Sequence, residues 1–104
     1  MILCTSDAIP GHALKEALGL VRGNAVRARH LGKDITALFK NMVGGEMEEY
    51  TKLLAEAREQ ALDRMIAEAK AKGADAVVTL RFSSSEISAG AAEVLVYGTA
   101  VRLK

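Results

Sequence analysis

Tryptophan is missing from this 104-residue sequence, and two tyrosines and two phenylalanines are its only aromatics. So few rings leave single-stranded nucleic acid little to stack on. One cysteine cannot form an internal disulfide and suits a reducing compartment. One proline and nine glycines are too few for a fibrous chain. Net charge is nearly absent as well, since 14 Lys and Arg stand against 13 Asp and Glu. No whole-molecule field therefore recruits nucleic acid or an anionic membrane. No apolar run reaches the roughly 18 residues of a spanning helix. Residues 1–10 lack the basic start and long apolar stretch of a secretory signal. Together these absences describe a small cytoplasmic protein with no membrane partner.

What is present is apolar. Half the residues are hydrophobic, too many for a disordered chain, and the length suits one core, a single domain over 1–104. Residues 1–33 hold five Lys and Arg against two acids, whereas 34–72 hold eight acids against six bases. That mild polarity marks no boundary.

Met1 to Thr5 reads as a short strand, closed by the turn-formers Ser6, Asp7, Pro10 and Gly11. A second extended region runs from about Ala17 to Arg29. Gly19 and Gly23 within it suggest a bulge or a close backbone approach, and Gly23-Asn24 is an alternative hairpin turn. Asp34 is a good N-cap for a helix whose Ile35, Leu38, Phe39, Met42 and Val43 share one face, and Gly44-Gly45 breaks it. A longer helix spans Glu46 to Lys72. Its stripe is Met47, Tyr50, Leu54, Ala57, Ala61 and Met65, widened by Leu53, Leu62, Ile66 and Ala69, and Gly73 caps it. Glu68 and Lys72 are spaced as a favourable pair on the wet side.

Ala76 to Phe82 reads as a strand presenting Ala76, Val78, Leu80 and Phe82 on one face. Ser83 to Gly90 reads as a polar loop. Glu93 to Leu103 then alternates Leu95, Tyr97, Thr99 and Val101 against Val94, Val96, Gly98 and Ala100. Both faces of this last strand are largely apolar, yet one helix layer covers only one face of a sheet. The expected fold is α+β, with a long helix on a small, mostly antiparallel sheet. The remaining face calls for a second copy of the chain as its partner.

Several segments together resemble the YbjQ-like family of small bacterial and archaeal proteins. They are Gly44-Gly45, Tyr50 four residues after Glu46, Gly73 to Val78, Ser85-Glu86-Ile87, Glu93-Val94-Leu95 and Tyr97 to Val101, with Pro10-Gly11 and Leu20 to Gly23. The resemblance implies a ring-like homopentamer, no established enzymatic activity and a family-level suggestion of heavy-metal binding. It also implies structural or interfacial roles for Gly44, Gly45, Tyr50, Gly98 and Thr99.

A metal site typically needs three or four ligands, and Cys4, His12 and His30 are the only thiol or imidazole donors. Their spacing forms no local chelate, so a metal ion as cofactor would require ligands gathered between subunits. Cys4, His30 and Glu86 are the metal candidates. Ser85 and Glu86, in the most polar short stretch, are the candidates for binding a small ligand. Cys4 among apolar neighbours also reads as a small buried hydrophobe. Met42, Met47 and Met65 belong to helical core stripes. No G-x-S-x-G elbow or phosphate-binding glycine loop occurs, which gives catalysis little support. Arg22, Arg27, Arg29, His30 and Lys33 make a basic stretch, read as a strand edge guarded by charge rather than an RNA surface. Three functional classes follow: a ring that binds a ligand, a non-catalytic scaffold, and an enzyme with its site between subunits.

Overall fold

The structure is a computed structural model that describes residues 1–28, 47–88 and 90–104, and side chains of the helix from residue 51 onward. The expected helix over 34–43 and its Gly44-Gly45 break, with Arg29, His30 and Lys33, lie outside the described residues, as do the side chains of Met47 and Tyr50. Strand β1 is Ile2–Leu3, β2 is Leu14–Ala28, helix α1 is Met47–Ala71, β3 is Ala76–Ser88 and β4 is Ala91–Leu103. They form a four-stranded mixed sheet in the order β1-β3-β4-β2. β4 runs antiparallel to both β2 and β3, while β1 adds a short parallel pair at Ala76 and Val77. The architecture is thus α+β, with one long helix among the described residues on a mostly antiparallel sheet. Among the described residues no helix is long and apolar enough to cross a membrane.

No glycine or proline interrupts residues 47–71, and Ala, Leu, Glu, Lys and Arg dominate them, so helix propensity favours α1 throughout. Gly73 ends it at φ +77°, the left-handed conformation of a C-terminal cap. The Ala74 N–H donates to the Ala69 carbonyl at 3.0 Å and the Gly73 N–H to Lys70 at 2.9 Å, which satisfies carbonyls the helix would otherwise leave open. Ala57, Ala61, Met65 and Ala69 are fully buried, as the stripe predicts. Lys72, expected beside Glu68, instead donates to the Leu20 carbonyl at 3.3 Å.

Small residues on this stripe let α1 lie close on β2 and β4. The closest approach is at Gly23, where an added Cβ would overlap the Ala61 carbonyl and sit 2.5 Å from the Met65 amide nitrogen. β2 therefore runs straight through Gly23-Asn24, and the alternative hairpin turn is not formed. Gly19 serves differently. It sits at a register shift with φ +106°, a bulge in β2.

β4 has the alternation read from its sequence. Val94, Val96 and Ala100 join the core beneath α1, and Gly98 is buried on the same side, with space for no Cβ against Val77. Leu95, Tyr97, Thr99 and Val101 face away.

β3 departs from its expected pattern in two ways. Two residues between Val78 and Arg81, Thr79 and Leu80, stand opposite the single Gly98 on β4, and Thr79 adopts φ +55°. This bulge inverts the alternation. Val77 and Leu80 consequently lie in the core beneath α1, while Ala76 and Val78 form a second cluster with Ile9 and Val101 on the opposite face. Ala76, Val78, Leu80 and Phe82 do not share one face, and Phe82 is 46% exposed. The N-terminal segment stabilises the bulge: the Thr79 N–H donates to the Ser6 carbonyl at 2.9 Å and the Leu80 N–H to Cys4 at 3.0 Å.

The second departure is Ser83 to Ser88, which is strand and not loop. Its serines have weak strand preference, but β4 supplies a partner from Leu95 to Ala91, and that pairing decides the conformation. The result is a long β-arm. The molecule measures 57 × 23 × 16 Å with a radius of gyration of 17.4 Å, against about 13 Å for a compact domain of this length.

Candidate functional site

Cross-strand register determines which side chains meet on the arm. Glu86 pairs with Ala92 on β4, and Ala92 pairs with Arg27 on β2. These three residues form one row on the side that faces α1, because Val94 and Ala25, two positions along, belong to the helix-covered core. Ala92 is small. Glu86 and Arg27 flank it at two strand spacings, about 10 Å between backbones.

A hollow of about 110 Å³ lies there, lined by Leu54, Ser84, Ser85, Glu86 and Ala92. Both small-ligand candidates, Ser85 and Glu86, therefore line one surface depression. Both are exposed, on strand rather than loop. Arg27 is half-buried, and its Nε is shielded from water with no hydrogen-bond partner among the described residues. The Glu86 carboxylate and the Ser84 hydroxyl beside an apolar floor of Leu54 and Ala92 suit a small polar ligand with donors and acceptors of its own. Arg27 was legible only as part of a basic stretch. Its place in a row with Glu86 depends on strand register, for which the sequence carries no local signal.

The basic stretch itself is divided. Arg22 pairs with Tyr97 on the face away from α1, whereas Arg27 lies on the helix side, so the two do not form one anion-binding strip.

The metal candidates are not brought together within one chain. Cys4 is half-buried at the base of the sheet against the Ile9 cluster, its carbonyl bonded to Leu80. Glu86 is six residues further along β3, roughly 20 Å away at strand rise. His12 is exposed beside the Ile9 turn, and His30 is outside the described residues. Among the described residues no three His, Cys, Asp or Glu side chains group as metal ligands.

Sequence comparisons place the chain among proteins of its own length. A UPF0145 protein of Thermosipho melanesiensis is 58% identical over 103 residues, covering 99% of this chain and 95% of the relative. A UPF0145 protein of Archaeoglobus fulgidus is 59% identical over 104 residues, covering 100% and 96%. A crystal structure of a protein with unknown function from Pediococcus pentosaceus, of the DUF74 family, matches the fold with a TM-score of 0.61. It covers 100% of this chain and 98% of the other at 17% identity, a likeness of fold alone. The YbjQ family model, described as "Putative heavy-metal-binding", matches residues 1–104, and the chain belongs to that family.

Proposed function

We propose that the protein is a cytoplasmic homo-oligomer that forms a ring and binds a small ligand at Ser85 and Glu86. The observation that carries this reading is the sheet face turned away from α1. Leu20 and Val26 are 59% and 52% exposed there, Tyr97 is 38% exposed, and Leu95 is half-buried. A face this apolar requires a cover, and the family resemblance supports five copies as the cover. For a metal to be the ligand, several subunits would each contribute donors such as Glu86, Cys4 or His30 around a symmetry axis, because the described residues of one chain do not assemble a set. The ungrouped donors equally favour a second reading, in which the ring is a scaffold that binds no metal and catalyses nothing.

Native mass spectrometry of untagged protein, purified without chelators or added metal, separates these readings. The expected result is a pentamer with a reproducible excess mass that gives the ligand's mass and stoichiometry, and Glu86→Ala removes that mass. A bare pentamer leaves the scaffold. A monomer overturns both.

A further inference from the structure

Strand register gathers a second set of polar side chains on the sheet face opposite α1. Arg22 on β2 and Arg81 on β3 both pair with Tyr97 on β4, so the three form one row across the sheet. Their strand neighbours Val21, Leu80 and Val96 lie in the core beneath α1, which turns all three to the other side. The bulge at Thr79 decides this placement, because without its extra residue Arg81 would face α1. All three side chains are exposed.

The two guanidiniums are held differently. Arg81 Nη1 donates to the Thr5 carbonyl at 2.7 Å and to the Leu80 carbonyl at 2.8 Å. Those bonds hold the group in place and leave Nε and Nη2, the two donors that meet a pair of phosphate or carboxylate oxygens side by side. Arg22 starts two strand spacings away, about 10 Å between backbones. Its flexible stem lets the charge reach in over Tyr97, whose phenol hydroxyl adds a donor between the two. No carboxylate balances these charges in the adjoining rows of this face. Those rows are Leu20, Thr99 and Val78 on one side, and Asn24, Leu95 and Ser83 on the other.

We propose that Arg22, Tyr97 and Arg81 form a binding site for a phosphate group, with Leu20 and Leu95 beside it to receive an organic body. Phosphate suits the row better than a carboxylate. A phosphate ester carries about −1.5 to −2 charge at neutral pH and three acceptor oxygens, enough for the Arg81 edge, Arg22 and the phenol together. The site is separate from the hollow at Ser84 and Glu86 and goes beyond the ligand reading above. Cover of this face by neighbouring copies, as proposed there, makes the anion more necessary, since cations taken out of water require a counter-charge.

A phosphorus NMR titration of the full-length protein with phenyl phosphate, and separately with inorganic phosphate, tests the site. Saturable binding is expected, weakened by added sodium chloride. Arg22→Gln is expected to weaken it about 10- to 100-fold, the range of one hydrogen bond to a charged group. Arg81→Lys keeps the charge without the paired donors and is expected to lose roughly tenfold. Arg58→Gln removes an equal charge from the exposed side of α1 and is expected to change affinity by less than about twofold. Tighter binding of phenyl phosphate assigns the ligand an apolar body, and equal or weaker binding assigns free phosphate. Both support the site. No saturable binding of either probe to the wild type overturns it. Wild-type affinity in Arg22→Gln overturns it as well, and so does an equal loss in Arg58→Gln, which means attraction to net charge alone. Native mass spectra of the same samples report assembly separately. A failed titration on an intact oligomer therefore rejects the phosphate site and leaves the proposed ring standing.

Discussion

A Cβ added at Gly23 meets backbone, and one added at Gly73 meets the end of a flexible side chain. At Gly23 the obstacles are the Ala61 carbonyl, the Met65 amide nitrogen at 2.5 Å and the Arg64 Cβ at 3.0 Å. None of these can move unless α1 lifts from the sheet. At Gly73 the nearest atom is the Arg102 Nη2 at 2.8 Å, which can swing aside, so the main cost is the left-handed φ of +77°. Gly73→Ala is expected to lose about 1 kcal/mol, and Gly23→Ala about 1–3 kcal/mol through overpacking. Urea denaturation of both variants at one protein concentration ranks them, and a wild-type midpoint for Gly23→Ala contradicts the close helix–strand contact. The sequence held both uses of glycine in β2 as alternatives, a bulge or a close approach. Assigning the bulge to Gly19 and the approach to Gly23 required knowing where Ala61 and Met65 dock, which is tertiary information.

At the scale of elements, β4 was legible and β3 was not, for one reason. β4 is regular, so period-two alternation assigns Val94, Val96 and Ala100 to the α1 side and Leu95, Tyr97 and Val101 to the other. β3 contains a bulge at Thr79, and one extra residue moves every later side chain to the opposite face. Its serine-rich half was read as loop because composition reports local preference and not the presence of a partner strand. α1 was legible almost end to end, since its apolar stripe and its glycine cap are both local signals. The face assignment on β4 separates two substitutions one residue apart. Val96 is fully buried beneath α1. Val96→Asp places a carboxylate there without a partner, a penalty of several kcal/mol against a total stability of about 5–15 kcal/mol. It is expected to abolish folding. Tyr97→Glu on the opposite face keeps the helix and the core but puts a charge on the face that the proposed neighbouring copies would cover. Circular dichroism and native mass spectrometry on the two variants report fold and assembly separately. An unaltered oligomer for Tyr97→Glu shows that this face is not covered by copies of the chain.

For the whole molecule, shape and stability pull against each other. A chain of 104 residues that extends 57 Å and exposes 6800 Å² has less interior per residue than a compact domain. The arm beyond Arg81 shows the deficit most clearly, because every residue from Phe82 to Ser88 is exposed although it is strand. The arm is three strands wide, with β3, β4 and β2 side by side, and such a sheet needs a cover over its apolar face to be stable. If neighbouring copies supply it, part of the folding free energy resides in the contacts between subunits, and mass action makes the melting temperature depend on protein concentration. Unfolding a pentamer to separate chains costs about 1.1 kcal/mol more per subunit for each tenfold rise in concentration, the five-copy mass-action value at 25 °C. For a domain near 100 residues that corresponds to several degrees per decade. Calorimetry across a hundredfold range of concentration is therefore expected to show a rise of roughly 9 to 18 °C. A melting temperature that does not move across that range means the isolated chain holds its own arm in place, and stability then gives no support to a ring.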